Sequence, residues 1–291
     1  MGKLIVLQSL WAMERRHTDG FERPLEANVA SIVEAGYGGV SAHCFDRAAV
    51  ARLAALLKGT GLAIEGQAFP KTIEDMKPVL DIAAEFNVRH IDLQPDVRPR
   101  RLEDCFPLIE GWLKLSEGYE TPVYYETHRD RMTTDLYFTL DLLDRYPELP
   151  LIADLSHILV SREFAWPVSP ENHALVHRLL DNAVAFHGRI GTREQVQIEL
   201  SFPHHRPWVD LFLDWWDYGF RSLRQRCGAD CDISFTCELG PKPYAITGRD
   251  GNDTTDRWAE ALTLRDWVQE LHDRIEAEYR GRLSPVLNNQ E

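Results

Sequence analysis

The chain has 291 residues, 44% hydrophobic and 27% charged, with a formal net charge of −14. That length and apolar share suffice for one large core over residues 1–291, and the acidic balance opposes recognition of nucleic acid through its phosphates. Five scattered cysteines, Cys44, Cys105, Cys227, Cys231 and Cys237, form no CxxC pair and read as reduced thiols of a cytoplasmic protein. The apolar run in "MGKLIVLQSLWAMERR" is too short to cross a membrane and lacks a small-residue cleavage site, so neither an anchor nor a signal peptide is expected.

Short apolar runs alternate with longer amphipathic ones throughout. The first strand is "KLIVLQS" (3–9), followed by "PLEANVASIVEAG", a helix with Leu25, Val29, Ile32 and Val33 on one face and a stop at Gly36. Strands follow at "GGVSAHC" (38–44), "LAIEGQAF" (62–69) and "RHIDLQP" (89–95), with Pro78 blurring the start of the helix after the third. "PVYYETH" (122–128) and "PLIADLS" (150–156) come next, then a helix with Ser169 as N-cap and Pro170 at its first position. "VAFHGRI" (184–190), the aromatic "WVDLFLDWWDYGF" and "DISFTCEL" (232–239) complete the set, and a last helix is expected from Thr263 in "TLRDWVQELHDRI". Eight strand-then-helix units predict an α/β fold, a parallel eight-stranded (β/α)8 barrel. The segment after the first strand has no Gly-rich phosphate turn, which argues against an open doubly wound sheet.

A barrel of this kind carries its site at the C-terminal strand ends. Read in order, those ends offer Gln8 and Trp11, His43, Gln67, Gln94 and Asp96, Glu126 and His128, Asp154 and His157, His187 and Arg189, and Glu238. A lone carboxylate at a strand end is usually solvated or a helix cap. Four ligand-type residues on consecutive strands, Glu126, Asp154, His187 and Glu238, are a different matter. Three carboxylates and an imidazole crowded together repel without a cation and suit one Mn²⁺, Mg²⁺, Co²⁺ or Zn²⁺ ion. Of the rest, His204 and His205 in "SFPHHRPW" are expected at the surface, and Trp215 and Trp216 in the core or an interface.

These motifs resemble the xylose isomerase-like barrels, the sugar and sugar-phosphate isomerase/epimerase group. The resemblance runs over nearly the whole chain and is most specific at "YYETH", "ADLSH", "FHGRIGTR" and "FTCELG". It implies Glu126, Asp154, His187 and Glu238 as metal ligands, Glu126 and Glu238 as acid and base, His157 as a second-site histidine and Arg193 as a substrate contact. The ketose 3-epimerases of the group carry a substrate-binding Glu six residues after the fifth-strand ligand, where this chain has Met132. Endonuclease IV shares the D-x-x-H and both Glu ligands but needs a further D-x-H pair, which residues 188–206 lack.

The expected chemistry is isomerisation or epimerisation of a small carbohydrate, with the metal stabilising an enediolate while one Glu removes a proton and the other returns it. His157, His128, His43, Gln67 and Trp11 are expected to orient ligands or contact the sugar. Arg189, two residues beyond His187, should face the same side of its strand and hold a hydroxyl, carboxylate or phosphate. Two alternatives remain, β-elimination from a keto-glycoside by a lyase or hydrolase and a non-catalytic sugar-binding barrel. No membrane or nucleic-acid partner is expected, and the aromatic segment leaves a homo-oligomer open.

Overall fold

A computed structural model describes residues 2–283; residue 1 and residues 284–291 of the expected single domain lie outside it. All eight expected strands are present: β1 (Leu4–Ser9), β2 (Gly39–His43), β3 (Ala63–Ala68), β4 (His90–Leu93), β5 (Val123–Glu126), β6 (Leu151–Ala153), β7 (Ala183–Gly188) and β8 (Ile233–Cys237). They pair in parallel in chain order, and β1 closes the ring on β8 with Leu4 opposite Ile233 and Gln8 opposite Cys237. The two-residue strand period sets the radial order. In β4, Ile91 and Leu93 join the apolar layer outside the ring, while His90 and Asp92 bond to other polar side chains within it.

Among the described residues nine α-helices surround the ring. Helix α1 (Leu25–Glu34) buries Val29 and Ile32, but Val33 is 43% exposed. At about 100° per residue, Val33 falls off the stripe formed by Leu25, Val29 and Ile32. Helix α2 (Arg47–Leu57) is capped by Asp46, which accepts from the Ala48 and Ala49 N–H groups. Helix α3 (Met76–Glu85) tolerates Pro78 in its first turn, where an N–H has no intrahelical acceptor. Helices α4 (Phe106–Ser116) and α5 (Leu136–Arg145) follow, and α6 (Leu155–Arg162) springs directly from the end of β6.

Ser169 caps α7 (Pro170–Leu180), its hydroxyl accepting from Asn172 N at 3.3 Å. Helix α8 (Arg206–Cys227) buries Trp215 and Trp216, with Trp216 edge-on to Phe235 at 4.9 Å, so this aromatic segment is core. His205 is also buried, contrary to expectation, its Nδ1 2.7 Å from the Glu199 carbonyl; His204 is exposed. Helix α9 (Arg257–Leu283) starts before Thr263, because Asp256 accepts from the N–H groups of Trp258 and Ala259. Thr263 instead bonds back to the Ala259 carbonyl, 3.1 Å away. At its first position, buried Arg257 donates to the carbonyls of Ala12, Glu14 and Leu239, tying the segments after β1 and β8 together. No helix among the described residues is long and apolar enough to cross a membrane.

Candidate metal centre

Asp154 follows β6 and is the N-cap of α6. Its Oδ1 accepts from the Ser156 N–H at 3.0 Å and from the Ser156 hydroxyl at 2.6 Å, while Oδ2 turns toward the barrel axis, 3.2 Å from Arg189 Nε. The neighbouring strand end is fastened to it: Thr127 Oγ1 accepts from Asp154 N at 3.0 Å and donates to Asp154 O at 2.9 Å. Glu126 precedes that threonine, so the two carboxylates sit side by side. His187 arrives from β7, its Nδ1 3.2 Å from Glu238 Oε2 and 3.6 Å from Glu126 Oε1.

One ligand atom from each of Glu126, Asp154, His187 and Glu238 lies within 4.8 Å of the other three, and all four residues are buried. Neither Glu126 oxygen nor His187 Nδ1 has a hydrogen-bond partner. Buried acceptors without donors are costly, and a divalent cation among them would satisfy them together. The donor set therefore fits such an ion, with hard oxygens and one imidazole as its ligands.

Beneath these four lies a polar layer that a reading of strand ends alone does not reach. Glu65 accepts from the Thr236 hydroxyl at 3.1 Å and lies 2.8 Å from His90 Nε2 and 3.2 Å from His187 Nε2. Holding Nε2 leaves Nδ1 for a metal, the usual carboxylate–imidazole–metal arrangement. Asp92 is fully buried beside Glu126, with only the Gln94 amide donating to it, at 3.1 Å. Strand parity was the available signal: Glu65 is two residues from Gln67, and Thr236 two from Glu238.

The environments pull these groups apart. Burial, with Glu126 nearby, raises Asp92 well above the usual carboxylate range, and burial also raises Glu126 and Asp154. Burial would raise Glu238 too, but His187 and Arg189 bring it down to about 2. The same carboxylates, Glu65 first, overcome burial and raise His187 well above its ordinary value.

The other expected residues are distributed around this cluster. A cavity of about 210 Å³ at the barrel mouth is lined by Trp11, His43, Gln67, His128, Arg189 and Glu238, together with Tyr244, which the sequence reading did not single out. Gly240 admits the Trp11 ring, since a Cβ there would stand 2.2 Å from it. Gln67 donates to Glu238 at 3.1 Å. Arg189 is buried and pairs with both Asp154 and Glu238 (2.7 Å to the latter), its guanidinium 4.6 Å from the centre of the Tyr244 ring. His157 is buried with neither ring nitrogen bonded, and its ring centre lies 3.9 Å from that of His128. Arg193 stands apart, paired with Glu194 at 2.7 Å and not among the residues lining the mouth. Met132 is buried core.

No protein-family model and no curated protein matches the chain. Among solved structures, it is similar to a xylose isomerase-like TIM-barrel protein from Mycobacterium smegmatis in complex with magnesium, at 12% identity over 93% of this chain and 99% of that one, with a TM-score of 0.61. A sugar phosphate isomerase/epimerase from Parabacteroides distasonis matches at 11% identity, 92% and 94% coverage and a TM-score of 0.60. The probable 3-DHS dehydratase AsbF of Bacillus anthracis, involved in petrobactin synthesis, matches at 15% identity, 84% and 95% coverage and a TM-score of 0.54. At these identities the likeness concerns the fold: the chain is a (β/α)8 TIM barrel similar in fold to these proteins.

Proposed function

We propose that this protein is a divalent-metal-dependent isomerase or epimerase of a small carbohydrate. The observation that carries the reading is the buried meeting of Glu126, Asp154, His187 and Glu238, with the Glu126 oxygens unpartnered. A divalent cation held there would polarise a carbonyl and its neighbouring hydroxyl and acidify the adjacent C–H. Glu238, at the mouth, is suited to take a proton from substrate carbon, and Glu126 to return one. His43, Gln67 and His128 supply polar contacts for hydroxyls, and Trp11 and Tyr244 supply ring faces. His157, its Nε2 3.7 Å from Asp154 Oδ2, is placed to orient that ligand. The acidic surface disfavours a nucleic-acid substrate, and five free thiols suit a reducing cytoplasm.

A second reading is β-elimination from a keto-glycoside, which begins with the same proton removal. A larger cavity opening beside Trp11, His43 and Gln67 favours it by giving a leaving group somewhere to sit. Incubation of metal-loaded protein with a sugar and glycoside panel in D₂O separates the outcomes. Deuterium in recovered sugar marks isomerisation or epimerisation, aglycone release marks elimination, and binding alone marks a sugar-binding barrel. Glu126→Gln and Glu238→Gln should each retain metal yet lose about 10²-fold or more in turnover. Near-normal turnover in both, or absence of divalent metal from protein grown in several metal supplements, would sink the reading.

A further inference from the structure

The larger cavity, about 500 Å³, lies between the ends of β1 and β2 and helices α1 and α2. That volume is in the range that encloses a drug-sized ligand. Its walls include Leu10, Leu25, Ala42, Val50 and Leu53, while Trp11, His43 and Gln67 belong both to it and to the mouth above the metal cluster. Gln67 is bonded to Glu238, so the chamber begins one side chain away from the carboxylate proposed to take a proton. Phe45 and Phe69 pack about His43, at 5.2 and 5.5 Å between ring centres, and Phe45 is 57% exposed. At the rim, Arg23 is paired with Asp19 at 2.6 Å and Glu22 accepts from the Arg15 N–H at 2.7 Å.

A free sugar offers hydroxyls; Glu14 and Asn28 also line the cavity, but the walls formed by Leu10, Leu25, Val50 and Leu53 return nothing for them. An apolar group displaces poorly bonded water from such walls and gains the transfer free energy of its own surface. We propose that the substrate is amphipathic: its polar carbon skeleton lies over Glu238, and an aryl-sized apolar substituent fills the chamber between α1 and α2. This rests on the metal-dependent reading for the polar end alone. The continuity of chamber and mouth through Trp11, His43 and Gln67 makes one ligand the occupant of both.

Two measurements test it. Ligand-observed NMR with 2-naphthol, which carries no sugar, should show saturable binding that Ala49→Trp abolishes. Ala49 lines the chamber from an exposed position on α2, where a larger side chain intrudes without displacing core. Calorimetry on metal-loaded protein with methyl and phenyl β-D-glucopyranosides, and with the galacto and xylo pairs, should give phenyl members bound about 10-fold tighter or more. Ala49→Trp should close that gap with metal content unchanged. The proposal is overturned if 2-naphthol does not bind saturably, if it binds Ala49→Trp equally well, or if bound phenyl and methyl partners are equivalent. Metal content and deuterium exchange report separately on the metal-dependent reading. Chamber binding by a protein that takes up no divalent metal would sink that reading and leave this one standing.

Discussion

His128 and His157 face each other at the edge of the cluster, and neither welcomes a proton. Burial lowers His128 from 6.5 to about 4, while burial, His128 and Arg189 lower His157 well below its ordinary value. An unfolded chain takes up these protons as pH falls through 6.5, whereas the folded chain resists until about 4, so acidification across that window favours unfolding. The raised Asp92, Glu126 and Asp154 act in the opposite sense but are present in both proteins, so over this range metal-free wild type should lose melting temperature relative to His128→Asn, by a share worth about 2 kcal/mol. A slope unchanged by His128→Asn would refute the assignment. Both histidines were legible in the sequence because they follow strand ends. Glu65, His90, Asp92 and Thr236 were not, because each lies inside a run that also reads as buried strand. Only strand parity, followed a layer downward, distinguishes an inward carboxylate from one at an edge. Arg189 was legible in direction, but its pairing with both Asp154 and Glu238 depends on side chains brought together only by closure of the ring.

At the scale of elements, a single residue, Asp154, joins β6 to α6. Asp154 accepts from Ser156 at the start of α6 and faces the cluster with its other oxygen. Asn caps a helix about as well as Asp but lacks the charge, whereas Ala does neither. In metal-free protein, Asp154→Ala should therefore unfold about 1 kcal/mol more easily than Asp154→Asn in urea, while both bind metal poorly. Equal urea midpoints would remove the capping role. Elements with a strong period or cap, such as the strands and the Ser169-capped helix, could be read from sequence with little error. Two details could not. The start of α9 depended on Asp256 outcompeting Thr263, and Val33 lay just beyond the edge of a buried stripe.

Across the whole molecule, one arc of the ring concentrates negative charge. Glu65, Asp92, Glu126, Asp154 and Glu238 are all buried, and Arg189 pairs with two of them, Asp154 and Glu238. A bound divalent cation offsets that repulsion, so exhaustive chelation should lower the melting temperature by roughly 5 °C or more. Restoring the ion should reverse the loss, and a melting curve indifferent to chelator would count against the cluster as a cation site. The four candidate ligands occupy β5 to β8, whereas the apolar chamber is bounded by β1, β2, α1 and α2. On the proposed reading, reactivity and selectivity fall on different stretches of the chain, the chamber walls running from Leu10 to Leu53. Exchanging residues 10–53 between barrels of this fold, which leaves Glu65 on His187 and Gln67 on Glu238, is a route to retargeting the ligand while keeping the groups proposed to move protons in place.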